Sequence, residues 1–336
     1  MQVGVIGINH KLADLKLRET LAKVCERRFH PLCSTHGEQA FILLSTCNRT
    51  EIYFSSNDLA ESHSYLLSIL RQEIEEEFDH KLYSYFRFEC FYHLSRVTAG
   101  LDSACVAETE IQGQVKAAYE LTQRSICLTP ELHFLFQKAL HIGKQIRSEL
   151  NLGRGLPELE DAILETATDF FTNLNGIKIL FVGASNINEK ILSHKKLSGI
   201  HLMTRSTTRA QELESRLKVK PVPWNPTSWT HYDWILFGTK APDYLIEPSP
   251  DLSSQNLSRK LVMDLSVPRN VNPSLARDPQ ITLLNIDQLN RLLSTRHQQL
   301  HSSLAHADRL VTTLTERHHT LFHQKRTCPL ALALSA

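Results

Sequence analysis

Glycine is scarce, at 12 of 336 residues, about half the usual share of roughly 7%. Glycine is where a backbone turns sharply or comes close to a phosphate. The shortage therefore argues against a glycine-rich nucleotide loop until each remaining glycine has been located. Other absences narrow the field further. Lys and Arg number 37 against 36 Asp and Glu, a net charge of +1. Bulk charge thus predicts neither nucleic-acid nor membrane binding, and any basic surface has to be local. Seven cysteines, at 25, 33, 47, 90, 105, 127 and 328, contain no CxxC pair. They read as reduced thiols of a cytoplasmic protein and not as a disulfide framework. No apolar run approaches the ~20 residues of a membrane span. The start, MQVGVIGINHK, lacks the basic segment and apolar stretch of a signal peptide. What is present, 42% hydrophobic and 22% charged residues, is the composition of a globular chain with a sizeable core. The length suits two domains with an extra helical piece.

The periodicities give an α/β protein in three parts. Val3 to Ile8, Phe41 to Leu44 and Glu51 to Phe54 read as strands, with helical spacing at Leu15–Val24 and Leu59–Ile74 and again throughout 89–150. This is an α+β domain over 1–153. Gly153-Arg154-Gly155-Leu156-Pro157 punctuates two helical patterns and marks a boundary. Beyond it a connecting helix leads to Ile177–Val182, a continuous apolar run of the buried parallel-strand type. Further short β runs near 201–203, 234–237, 261–265 and 281–284, with intervening helix, predict a doubly wound parallel sheet over 154–285. The last part, 286–336, is helical. Positions 293, 297, 300, 304, 307, 311, 314, 318 and 321 form a heptad seam in which seven of nine residues are apolar. Nothing follows that could cover this helix, so the seam predicts a homodimer, against the simpler reading of a helix packed back on its own chain.

Two clusters carry chemistry. Cys47 lies in Ser-Thr-Cys-Asn-Arg-Thr-Glu between two strands. Arg49 nearby can favour a thiolate nucleophile or hold a substrate carboxylate through a bidentate pair. A small buried hydrophobe is the alternative for the thiol. The second cluster runs Gly100-Leu101-Asp102-Ser103, then Glu108-Thr109-Glu110 and Gly113-Gln114-Val115-Lys116. It reads as helix capping or as a polar site, with His93 on the preceding helix. Metal ligation is not expected: His30, Cys33 and His36 form the only compact set in the first part and lack a fourth ligand.

GINHK at 7–11, STCNRTE at 45–51, HLSRVTAGLDS at 93–103, ETEIQGQVK at 108–116, FQKALHIGKQIRSELNLG at 136–153 and MDLSVPRNVNP at 263–273 together resemble the glutamyl-tRNA reductase family, in one collinear order. The resemblance implies an enzyme that uses NADPH to reduce glutamyl-tRNA(Glu) to glutamate-1-semialdehyde, the first step of 5-aminolevulinate and tetrapyrrole synthesis. It implies a catalytic domain at 1–153, a Rossmann-like NADPH-binding domain at 154–285 and a shortened dimerisation segment at 286–336. Cys47 matches the nucleophile that forms a glutamyl thioester and releases tRNA. His93 matches a histidine suited to proton transfer. Thr46, Asn48, Arg49, Ser103, Glu108, Thr109, Glu110 and Gln114 match positions that enclose the glutamyl group. A homodimer and a handover to glutamate-1-semialdehyde aminomutase are implied partners, with no membrane.

The phosphate loop departs from the family. Gly183-Ala184-Ser185-Asn186-Ile187-Asn188 keeps only the first glycine of G-x-G-x-x-G. Ser185 stands where a glycine lets the backbone approach the pyrophosphate. Arg205, after the second strand of this part, replaces the acid that would bind a 2′-hydroxyl and suits the 2′-phosphate of NADPH. Two readings stay open beside the reductase. One is a tRNA- or partner-binding homologue with weakened cofactor binding; the other is a thioester-forming dehydrogenase acting on free aldehydes.

Overall fold

A computed structural model of the chain describes residues 1–32, 40–104, 108, 110–150, 158–193, 197, 199–217, 219–248, 259–293 and 301–327. The expected boundary at 153–157, Thr109, and Cys33 and His36 lie outside the described residues. Contacts divide the chain into two units, Met1–Leu156 with Thr295–Ala336, and Pro157–Ser294.

The first unit is built on an antiparallel sheet of β1 (Val3–Asn9), β2 (Phe41–Ser45), β3 (Arg49–Ser55) and β4 (Tyr83–Phe86), in the order β2-β3-β1-β4. Side chains alternate between faces every residue, and helices cover both faces. Ile6, Ile8, Phe41, Leu43, Ile52 and Phe54 pack with α1 (Leu15–Phe29) and α2 (Leu59–Glu73). Val3, Val5, Ile42, Leu44 and Tyr53 pack with α3 (Arg87–Ala99), α4 (Glu110–Ser125) and α5 (Pro130–Leu150). By the same alternation Arg49 and Glu51 share the face of Tyr53. They are polar residues on a strand with no solvent side.

The second unit carries a parallel sheet, β10-β9-β8-β5-β6-β7. Its strands are β5 (Ile179–Val182), β6 (Ile200–Met203), β7 (Lys220–Val222), β8 (Trp234–Phe237), β9 (Lys260–Asp264) and β10 (Ile281–Asn285). The expected doubly wound sheet is therefore present. Strand order reverses between β5 and β8, where such sheets open a ligand crevice beyond their carboxyl ends. Helices α6 (Leu159–Phe171), α7 (Asn186–Leu192), α8 (Thr207–Leu217) and α9 (Ile286–Leu292) accompany it.

The C-terminal part differs from the expectation in two ways. It is not one segment: α9 lies within the second unit and packs on α6, while α10 (His301–Thr327) lies within the first. The face of α10 is also not left open for a second copy. Ala307, Val311 and Phe322 are buried in the first unit's core beside α3 and α5, with Leu304 and Leu314 packed against it. Phe322 meets Phe134 at 4.6 Å between ring centroids, and Arg96 Nη1 grips Asp308 at 2.7 and 2.9 Å. The buried stripe runs 307, 311, 315, 322, and Leu321 of the seam is 41% exposed. A straight helix drifts ~20° per heptad against a strict seven-residue repeat, so the packed face moves off the seam from 314 and 321 onto 315 and 322. Seam positions 297 and 300 lie outside the described residues.

Candidate active site

Cys47 occupies the tip of the β2–β3 hairpin, beyond the Ser45–Thr50 pair. Thr46 closes the turn. Its N–H donates to the Arg49 carbonyl at 2.9 Å, and its Oγ1 accepts the N–H groups of Asn48 and Arg49, both at 3.2 Å. Two outside groups pin the tip: the His10 N–H donates to the Asn48 carbonyl at 2.9 Å, and Arg18 Nη1 donates to the Cys47 carbonyl at 2.7 Å. The half-buried thiol is thus held at a fixed point. Burial, and then the charge of Glu108, push it up to about 12, against a weaker pull from Arg18. A resting thiol is what this environment favours.

Arg49 does not act on that thiol as the sequence suggested. Its Nη1 donates to Glu51 Oε1 at 2.7 Å, and its Nη2 donates to Asp102 Oδ2 at 3.0 Å and to the Asp102 carbonyl. The physical reason is burial. Arg49 and Glu51 are 1% and 0% exposed, and a buried cation needs its counter-charges in contact. Burial works against both charges, but Arg49 and then His93 outweigh it at Glu51 and hold that carboxyl far below the ordinary range. Lys11 Nζ completes the set on Asp102 Oδ1.

Glu51 is the centre of this network. Its Oε1 accepts from Arg49, from His93 Nε2 at 2.8 Å and from the Tyr83 hydroxyl; its Oε2 accepts from the Tyr53 hydroxyl at 2.6 Å. The His93 ring lies against Tyr83 and Tyr85, at 5.2 and 4.9 Å between centroids. A Cβ on Gly7, the cross-strand neighbour of both Glu51 and Tyr83, would stand 2.8 Å from Glu51 Cγ and from the Tyr83 hydroxyl. Gly7 therefore reserves the space for this carboxylate.

The second cluster joins the same site. Ser103 is buried and lies beside Glu108, whose carboxyl is raised to about 7 by burial and by Glu110, against Ser103, Arg49 and Arg147. The Glu108 carbonyl accepts from Arg147 on α5. Glu110 opens α4, and its charge, like that of Glu108, reaches the Cys47 thiol. Gln114 follows Glu110 by four residues, hence on the same helix face, half-buried. Of the second cluster, Glu108 and Glu110 lie within electrostatic reach of the Cys47 thiol, while His93 is held at Glu51. Glu51, Asp102, Lys11, Arg18 and the tyrosines were not singled out as site residues. A signal was available: Arg49, Glu51 and Tyr53 recur every second residue on a strand.

In the second unit, Gly183 follows β5 with φ +93°, and a Cβ there would meet the Gly238 carbonyl at 2.3 Å. Ser185 caps α7, its Oγ accepting the Asn188 N–H at 3.3 Å. Asn188 is buried and donates through Nδ2 to the Gly183 carbonyl at 2.8 Å. Both side chains lean on Gly238 at the end of β8, whose absent Cβ would be 2.6 Å from Ser185 Oγ and 2.8 Å from Asn188 Oδ1. Ser185 therefore points at the helix start and β8, not out over the loop. The glycine missing from position 188 is matched by one on the neighbouring strand. Ala184 and Ile187 are half-buried and Asn186 is exposed. The exposed Arg205 rests over the Trp224 ring at 5.8 Å. Beside the crevice, Asp264 accepts the N–H groups of Ser266, Asn270 and Val271 at 3.0, 2.7 and 2.9 Å, which shapes the 265–271 loop. A tight turn at the switch point fits a nicotinamide dinucleotide, and Arg205 lies beyond the second strand.

Comparison with known proteins agrees with this geometry. The family model described as the glutamyl-tRNA(Glu) reductase N-terminal domain matches residues 6–150, and that of shikimate/quinate 5-dehydrogenase matches 165–292. Glutamyl-tRNA reductase from Desulforudis audaxviator is 30% identical over 325 residues, covering 93% of this chain and 73% of the relative. That from Akkermansia muciniphila is 31% identical over 307 residues, covering 87% and 90%. Among solved structures, glutamyl-tRNA reductase from Methanopyrus kandleri matches with a TM-score of 0.52 at 23% identity, over 96% of this chain and 81% of that one. This last likeness concerns the fold.

Proposed function

The chain belongs to the glutamyl-tRNA reductase family and is an oxidoreductase of tetrapyrrole synthesis, and from that premise we propose that it reduces glutamyl-tRNA(Glu) to glutamate-1-semialdehyde through a thioester on Cys47. The observation that carries this reading is a half-buried thiol fixed at a hairpin tip, with Glu108 and Glu110 in electrostatic reach. The sulfur attacks the ester carbonyl, the C–O bond to the tRNA ribose breaks, and tRNA leaves with a proton. The thiol, held protonated at rest, gives up its proton as the C–S bond forms, with His93 as the proton-transfer partner. Asn48, Arg49, Ser103, Glu108, Glu110 and Gln114, together with Thr46 and Thr109, enclose the glutamyl group. For Arg49 to take a substrate carboxylate, it exchanges Asp102 for it. Gly183–Asn188 would hold a nicotinamide cofactor and Arg205 its 2′-phosphate; when bound, the cofactor would supply the hydride, and as the aldehyde forms the C–S bond breaks and Cys47 regains its proton. The preference for NADPH rests on that arginine. Homodimerisation, a cytoplasmic site of action and transfer of product to the aminomutase belong to the same proposal on family resemblance alone.

Incubation with glutamyl-tRNA in the absence of NADPH tests the central step. Mass spectrometry of the Cys47 peptide should show a glutamyl adduct that hydroxylamine removes. Cys47→Ser should abolish semialdehyde formation while tRNA binding persists, and retained turnover in that variant would sink the nucleophile assignment.

A further inference from the structure

Every group that meets Glu51 is a donor. Arg49 has no acceptor, and the two tyrosine hydroxyls and His93 Nε2 all converge on a carboxylate that is wholly buried. An ionised carboxylate only accepts, and here three donors meet Oε1 and one meets Oε2. The His93 nitrogen facing Glu51 then carries the hydrogen, and Nδ1 is left as the basic nitrogen of the ring. The charges agree with that state: Lys11 and Arg49 balance Glu51 and Asp102, so a neutral imidazole leaves the cluster neutral. Gly7 keeps the space in which the carboxylate sits.

We propose that Glu51 is a positioning residue that fixes His93 in the Nε2–H form, presents Nδ1 as the atom that takes and returns the proton, and stabilises the imidazolium formed in between. This rests on the role given to His93 above. When Nδ1 accepts a proton the ring becomes cationic, and the adjacent carboxylate, already ionised, holds that charge without itself taking the proton. The logic is that of a buried carboxylate orienting a histidine in an acyl-transfer site. Arg49, Tyr53 and Tyr83 hold the carboxylate in place for that purpose. On this view Arg49 has a duty at Glu51 in addition to any contact with substrate.

The test is long-range proton–nitrogen NMR of His93 in the full-length protein, paired with single-turnover thioester formation. In the wild-type protein Nε2 should be protonated and Nδ1 bare. A wild-type ring protonated at Nδ1 instead would overturn the proposal without any variant. In Glu51→Gln the amide oxygen takes the place that faces Arg49, Tyr83 and His93, with the NH2 toward the Tyr53 hydroxyl, so Nε2 keeps its hydrogen while the imidazolium loses its counter-charge. Thioester formation should then fall about a hundredfold or more, with tRNA affinity unchanged. A Glu51→Gln protein of wild-type rate would overturn the proposal, provided His93→Asn is slow. A His93→Asn protein of wild-type rate would remove the proton-transfer role of His93 itself, and the proposal with it. Tyr53→Phe, which deletes one donor far from His93 on the other oxygen, should keep the Nε2–H form; a shifted tautomer there would assign the effect to general loosening of the core.

Discussion

Around Glu51 the first unit buries two carboxylates against Lys11, Arg49 and the polar edge of His93, whereas the loop from Gly183 to Asn188 in the second unit carries no charged side chain. A thiol that reacts only when a proton moves needs acids and bases held in fixed states, and burial with full pairing supplies that. A pyrophosphate needs close backbone approach at a helix start, and small uncharged residues supply that. The difference teaches why the two sites tolerate change differently. In the first, removing one partner leaves another charge stranded. In the second, what counts is volume.

The largest expected effect breaks the second site by volume alone. Gly183→Ala forces a Cβ to 2.3 Å from the Gly238 carbonyl at a φ of +93°, a strain of about 3 kcal/mol or more. NADPH binding, measured by fluorescence titration, should be lost while glutamyl-tRNA still acylates Cys47. Retention of NADPH affinity would show that volume is not the governing factor there.

A middle-sized effect addresses the first site by charge. Glu108 rises from an ordinary 4.5 to about 7 in the folded chain. A carboxyl whose folded value is raised contributes stability below pH 4.5, and loses that contribution as pH climbs through 7. The loss amounts to about 2 to 3 kcal/mol. Urea midpoints of the wild type, compared with Glu108→Gln at pH 5 and pH 8, should diverge in that direction, the variant lacking the decline. Asp264 in the second unit, raised by burial from 3.8 to about 6, titrates with the same sign in both proteins and cancels in the difference. Equal pH slopes would mean that Glu108 is not held proton-bound.

The smallest effect sharpens the comparison. The sequence alone suggests that Ser185→Gly clears a path for the pyrophosphate and tightens NADPH binding. With the hydroxyl turned to the Asn188 N–H and to Gly238, the substitution removes a helix cap worth a few tenths of a kcal/mol. NADPH affinity should stay nearly unchanged. A marked tightening would mean that Ser185 does obstruct the ligand.

Much of this molecule was legible before its coordinates. The apolar runs at 3–8, 177–182 and 234–237 are long and uniform enough to be strands, and each holds one, the second starting at Ile179. Two edge strands were not legible: β4 alternates aromatics with polar residues, and β7 is three residues containing Pro221, so neither carries an apolar run. The helical character of α10 was readable from its periodicity, but its partner was not, because α3 and α5 lie far away in sequence. The same applies to the site. Glu108 and Glu110 lie within electrostatic reach of Cys47, yet the role of Arg49 depends on Asp102, 53 positions on. Glu51 sat inside a quoted motif, and only its four donors disclose what it does.

Gly238 is coupled in packing to Ser185 and Asn188. Because the Asn188 amide fills the room that a side chain at 238 would take, neither residue can be judged alone. With alanine at 238, asparagine at 188 collides with it. With glycine at both, a small void remains, a milder defect than an overlap of packed atoms. A side chain at 238 would therefore need both Ser185 and Asn188 to shift, so the three positions act as one packing unit.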